Sequence, residues 1–81
     1  MTKMFTVYTK RDCSYCEAVK RLFTMKKIKA NYLELDKDFT RHEFIEQFGS
    51  TTFPQVVTEE GAKIGGATET VSFLKENGYL S

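Results

Sequence analysis

Two rhythms of apolar and polar positions run along the chain. Residues 3–9 are dense in aromatic and β-branched side chains and stop at charged neighbours, a pattern that predicts a strand. From Ser14 the spacing changes. Tyr15, Ala18, Val19, Leu22 and Phe23 recur at i, i+3, i+4, i+7 and i+8, while Glu17, Lys20, Arg21 and Thr24 fall opposite, so a helix with the first set inward is expected. Residues 31–35, where Tyr32 and Glu34 alternate with Leu33 and Leu35, return to the strand rhythm. A strand, a helix and a strand within this length make a βαβ unit, with parallel strands and a right-handed crossover.

The second half is punctuated by caps and turns. Asp36-Lys37-Asp38 reads as a charged turn, and Thr40-Arg41-His42-Glu43 has the capping-box form of a helix start. That helix is expected to carry Phe44, Ile45 and Phe48 inward and to stop at Gly49, a residue suited to a left-handed terminus. Pro54 stands immediately before residues 55–58, a predicted strand, in keeping with the exclusion of proline from strand interiors. Glu59-Glu60-Gly61 predicts a hairpin into residues 62–64, and Gly65-Gly66 a break. Thr68 is the expected cap of a last helix running through Val71, Phe73 and Leu74 to Asn77-Gly78. The order is β-α-β-α-β-β-α, and a four-stranded mixed α/β sheet flanked on both faces by helices is the simplest architecture that buries every stripe.

Composition narrows the functional classes. Eighty-one residues suffice for one domain, expected to span 1–81, and 41% hydrophobic content with seven Phe and four Tyr is ordinary globular material. Twelve Lys+Arg against eleven Asp+Glu leave a net charge of +1, without the basic excess of a general nucleic-acid or membrane-surface binder. The first residues do not form the apolar stretch of a secretory signal, and no segment approaches a membrane span. The expectation is a cytoplasmic, monomeric protein whose thiols are kept reduced.

Two cysteines, Cys13 and Cys16, then become the candidate chemistry. They lie where the first strand hands over to the first helix, and a C-x-x-C beside a βαβ pattern in such a setting reads as a redox motif. A helix N-terminus offers unpaired N–H groups and a partial positive charge that favour an anion. Cys13 occupies that place, with Lys10 and Arg11 adding positive charge and Asp12 opposing it. A lowered Cys13 pKa is expected, with Cys16 the more protonated and more buried partner; Cys13 attacks and Cys16 resolves. A zinc site needs more ligands than two cysteines and the single His42 supply. A structural disulfide would close too short a loop to restrain the unfolded chain much, and burial of two inert thiols does not suit a polar junction.

Pro54 admits two readings: it shapes the turn before a strand, or it follows a cis peptide that turns the Phe53 main chain outward to meet an extended thiol peptide. Gly65-Gly66 is either a plain strand break or a place where the chain approaches a ligand, with the Ala67 and Thr68 N–H groups opening a helix that can hold a carboxylate.

Taken together, residues 8–16 (Tyr-Thr-Lys-Arg-Asp-Cys-Ser-Tyr-Cys), Thr52-Phe53-Pro54-Gln55-Val56 and Ile64-Gly65-Gly66 resemble the active-site, Thr-Val-Pro and Ile-Gly-Gly signatures of the glutaredoxin family, in family order and spacing. The resemblance implies a thioredoxin fold and glutathione-dependent thiol–disulfide exchange, with glutathione as co-substrate and no resident metal. It implies that Cys13 is the nucleophile and Cys16 the resolving thiol. Lys10 and Arg41 would grip the glycyl carboxylate of glutathione, and Thr52, Phe53 and a cis Pro54 would face its cysteinyl part. Gly66, Ala67 and Thr68 would receive its γ-glutamyl end, and Tyr15 either packs on the first helix or lines the groove. Disulfide-bearing proteins are the implied partners, ribonucleotide reductase among them.

The chain departs from the family pattern in three places. Ser14 replaces the usual proline between the cysteines, Phe53 replaces valine, and Ala67-Thr68 replaces Cys-Asp, with Glu69 the candidate substitute for the acid. Two alternatives accompany this reading. One is a dimeric carrier in which two Cys13 thiolates and two glutathiones hold a [2Fe–2S] cluster; the other is a redoxin reduced by thioredoxin reductase.

Overall fold

The strand rhythm at the start of the chain forms β1 (Phe5–Thr9), and the 3.6-residue rhythm forms α1 (Ser14–Met25). They are followed by β2 (Ala30–Glu34), α2 (Arg41–Phe48), β3 (Gln55–Val57), β4 (Lys63–Gly65) and α3 (Ala67–Glu76). The structure is a computed structural model describing residues 4–80. Lys3, expected at the head of the first strand, lies outside the described residues.

The sheet order is β2-β1-β3-β4. β1 and β2 run parallel with Val7 opposite Tyr32, while β3 pairs antiparallel with both β1 and β4. This is the mixed four-stranded sheet that the sequence pattern predicts. The hairpin between β3 and β4 closes through the Thr58 N–H on the Ala62 carbonyl at 2.9 Å.

Alternation along β1 divides the interior in two. Phe5 and Val7 face α1 and α3, where they join Val19, Phe23, Val56 and Leu74 in the main core. Tyr8 faces the other way, into a second cluster of rings under α2. Its ring lies 5.1 Å from that of Phe39 and 4.9 Å from that of Phe48, and Phe44 sits among them, stacked on Phe53 at 4.2 Å. Each helix therefore covers an apolar face of the sheet, which neither sheet face could leave to water.

Three details depart from the sequence expectations. In α1 the buried line is Cys16, Val19 and Phe23, while Tyr15 is 67% exposed and Ala18 is also at the surface. The helix has turned its Cys16 edge toward the sheet, which a stripe chosen by hydrophobicity alone misses by one position. In α2 Phe44 is buried and Phe48 half-buried, but Ile45 is exposed, because the ring cluster meets only the i, i+4 edge of this eight-residue helix. Finally, Gly65 extends β4 rather than ending it, pairing with Val56.

Candidate active site

The segment between β1 and α1 places the cysteines. Asp12 takes a left-handed backbone conformation (φ 53°), which swings the chain off the sheet so that Cys13 becomes the N-cap of α1. The Cys13 Sγ accepts the Cys16 N–H at 3.2 Å, filling the role that a serine or threonine oxygen plays at other helix starts. Cys13 and Cys16 are joined as a disulfide, with their Cα atoms 5.2 Å apart. Contrary to the expectation that a polar junction leaves thiols exposed, both are buried, Cys16 at 3% and Cys13 at 9% exposure. Each sulfur covers the other, and that of Cys13 folds back over the first helical turn.

The charges around the pair are arranged differently from their order in the chain. Asp12, Ser14 and Glu17 line, with Cys13, a depression of about 440 Å³, so two acidic residues share that surface with the cysteine. Glu17 was missed by the sequence reading, although its i+4 spacing from Cys13 puts it one turn above that residue. Arg11 points instead toward β2, where its Nε lies 3.5 Å from a Glu34 carboxylate oxygen. Lys10 projects over the Phe53 ring, with Nζ 5.6 Å from the centroid.

Beyond the cysteines, the Phe53–Pro54 peptide is cis, as the second of the two Pro54 readings requires, and Pro54 is fully buried. The Thr52 carbonyl accepts a hydrogen bond from Gln55 Nε2 at 3.0 Å. Gly66 lies close by: a Cβ built on it would stand 3.5 Å from the Pro54 carbonyl oxygen, so the start of α3 and the Phe53–Pro54 turn are neighbours. Gly66, not Thr68, is the N-cap of α3. Its N–H donates to Glu69 Oε1 at 2.9 Å, so this carboxylate, the expected substitute for the missing acid, is occupied in capping the helix. Ala67 and Thr68 form the first two positions of α3, with Thr68 exposed.

Two further expected site residues are solvent-exposed. Arg41 is exposed at the first position of α2, behind the Thr40–Glu43 capping box, and no contact joins it to Lys10 or Cys13 among the described residues. Tyr15 is 67% exposed and is not among the residues lining the depression at Cys13. Among the described residues, no group of three or more His, Cys, Asp or Glu side chains is placed to hold a metal ion, and no helix is long and apolar enough to cross a membrane.

Comparison with known proteins bears on this arrangement. The glutaredoxin family model matches residues 5–61, which include β1, the cysteine pair, α2 and the Phe53–Pro54 turn. The chain belongs to the glutaredoxin family. Glutaredoxin 3 of Escherichia coli is 34% identical over 64 residues, covering 78% of this chain and 76% of that protein. Among solved structures, the glutaredoxin–glutathione complex from buckwheat is 29% identical, with a TM-score of 0.73 over 94% of this chain and 71% of the other. Glutaredoxin 1 from Francisella tularensis, crystallised with cacodylate, is 24% identical and shares the fold with a TM-score of 0.78 over 93% and 95% of the two chains. Glutaredoxins are in general thiol–disulfide oxidoreductases, and this chain carries the cysteine pair such exchange requires.

Proposed function

We propose that this glutaredoxin reduces protein disulfides and glutathione mixed disulfides with glutathione as the electron source. The observation that carries the proposal is the Cys13 sulfur at the head of α1, receiving the Cys16 N–H. A thiolate accepts that bond more strongly than a thiol, and the positive end of the twelve-residue helix favours the same charge state. Both effects favour the anionic form of the reduced Cys13 sulfur. The Asp12 and Glu17 carboxylates oppose them, but these side chains are solvated and screened, whereas the N–H is in direct contact with the sulfur.

With a glutathionylated protein, the Cys13 thiolate attacks the glutathione sulfur and the protein leaves as a thiolate that takes up a proton. The thiolate of a second glutathione then attacks the mixed disulfide on Cys13, giving oxidised glutathione and restoring the Cys13 thiolate. With a protein disulfide, Cys13 first forms a mixed disulfide with the protein. Cys16 loses its proton and attacks the Cys13 sulfur, releasing the dithiol substrate and leaving the Cys13–Cys16 bond. Because Cys16 is tethered one turn away, that closure is effectively unimolecular. Two glutathiones return the pair to the dithiol.

In this reading Lys10 and Arg41 receive the glycyl carboxylate of glutathione. The Phe53 main chain beside Pro54 meets its cysteinyl part, supported by Thr52, and the N–H groups of Ala67 and Thr68 beyond Gly66 face its γ-glutamyl end. Tyr15, standing exposed two residues from Cys13, meets the substrate at the rim. The proposed setting is the cytoplasm, with the chain acting as a monomer, and ribonucleotide reductase is a candidate protein substrate.

Cysteine-to-serine variants in an assay coupled to glutathione reductase test the proposal. Cys13→Ser is expected to abolish reduction of a glutathione mixed disulfide, while Cys16→Ser keeps much of it and loses activity toward protein disulfides. Turnover by Cys13→Ser at the unsubstituted rate, or reduction supported by thioredoxin reductase and not by glutathione, would contradict it.

A further inference from the structure

The lysine that precedes the cysteine loop is held by an aromatic platform whose support lies in the second core. Lys10 is solvent-exposed, one residue past β1, and a lysine side chain left in water wanders among many rotamers. Here its ammonium stands over the Phe53 ring, 5.6 Å from the centroid. That ring is itself fixed in plane. It stacks on Phe44 at 4.2 Å with 10° between the planes, and lies 6.2 Å and 21° from Phe39. Phe44 is 1% exposed, so the stack has little room to tilt.

From this arrangement we infer that Phe53 is a positioning residue: its ring holds the Lys10 ammonium ready at the rim of the site for the carboxylate of an incoming thiol substrate. The inference rests on the proposed glutathione reading and adds to it a role for the Phe53 side chain, distinct from that of its main chain. A cation is drawn to the negative face of a ring, and the attraction leaves the outward side of the ammonium open to an anion. The ring thus restricts where the charge stands without neutralising it, so less rotamer freedom is lost when the carboxylate arrives. An aliphatic side chain at position 53 would fill space over Phe44 but would offer the cation no negative face.

The test combines a spectroscopic and a kinetic measurement on the full chain. In the proton NMR spectrum, the Lys10 ε-methylene is expected upfield of the other lysines because it sits above the ring. The displacement should vanish in Phe53→Leu and persist in Phe53→Tyr. In the glutathione-coupled assay, Phe53→Leu should raise the KM for glutathione about two- to fivefold, the range expected of an exposed cation–π contact, with a smaller effect on kcat. Phe53→Tyr should restore the KM. Lys10→Gln should raise it at least as much, and Phe53→Leu added to Lys10→Gln should bring no further loss, because the ring acts only through the cation.

A Lys10 signal at the ordinary lysine position would overturn the inference. So would KM penalties that multiply independently in the double variant, or a Phe53→Leu variant with unchanged KM beside an impaired Lys10→Gln. Absence of glutathione-dependent turnover in the unsubstituted protein would instead refute the proposed function, and the ring shift would then decide the placement of Lys10 alone.

Discussion

Phe44→Ala removes the centre of the second core and tests whether that cluster holds the site side of the molecule together. Phe44 is 1% exposed and meets four rings, those of Tyr8, Phe39, Phe48 and Phe53, at centroid distances of 6.0, 5.6, 4.7 and 4.2 Å. Deleting a buried phenylalanine ring costs about 3–5 kcal/mol, made up of lost transfer energy and the cavity left behind. Tyr8, Phe48 and Phe53 are only half-buried and can relax into the space, which favours the lower part of that range. A chain of this length has a total stability of roughly 4–12 kcal/mol, so the loss is a large fraction of it. Urea unfolding followed by far-ultraviolet circular dichroism, with the cysteines kept reduced, should show the midpoint falling by about 2–4 M if m is near 1–1.5 kcal/mol/M. Ile45→Ala provides the comparison on the same helix. Ile45 is 41% exposed, and its truncation should cost less than about 1 kcal/mol. A Phe44→Ala midpoint within about 0.5 M of the unsubstituted protein at equal m, or an Ile45→Ala loss as large as that of Phe44→Ala, would show that the rings under α2 are not a packed core.

Three further outcomes can be checked by the same unfolding measurements. Thr40→Ala removes the hydroxyl that accepts the Glu43 N–H at 3.1 Å, while the backbone N–H of residue 40 still donates to Glu43 Oε1, and the loss should cost about 0.5–2 kcal/mol. Gly65→Ala should destabilise by at least about 1–3 kcal/mol, since Gly65 has φ 122° and its new Cβ would stand 3.0 Å from Glu69 Cβ and Cγ; a neutral result would mean that the β4–α3 corner yields freely. Burial pushes the Tyr32 phenol above its ordinary value of 10.0, and a hydrogen bond with Thr24 pulls it back in part. Above that value the unfolded chain loses this proton first, so the contribution of Tyr32 to stability is present below about pH 10 and declines as pH rises toward the folded value. The stability difference from Tyr32→Phe should change with pH between about 9 and 11, and a constant difference would contradict the burial effect.

Legibility differed between the parts of the molecule for physical reasons. Signals carried by neighbouring residues survived folding: the Thr40–Glu43 box formed, Gly49 closed α2 in the left-handed conformation (φ 72°), and the hairpin turned at Gly61. Signals that depend on what packs opposite did not. The hydrophobic face of α1 could be located only to within one position, because Cys16 counts as weakly apolar in a stripe yet is 3% exposed. Thr68 is a better cap by residue type than Gly66, but α3 starts at Ala67, directly after Gly66, whose N–H is taken by the Glu69 carboxylate.

The order of residues alone determined the strand and helix sequence, the mixed sheet and the seating of Cys13 at a helix head, since each follows from periodicity, capping chemistry and the handedness of a βαβ crossover. Tertiary structure decided the surroundings of the sulfur. Arg11 turned away to Glu34, Glu17 came round to the depression at Cys13, and Lys10 settled over a ring forty-three positions further along the chain. Direction in space is the reason: a long side chain reaches whichever partner the backbone brings near, and only closure of the sheet brings the Phe53 turn beside the end of β1.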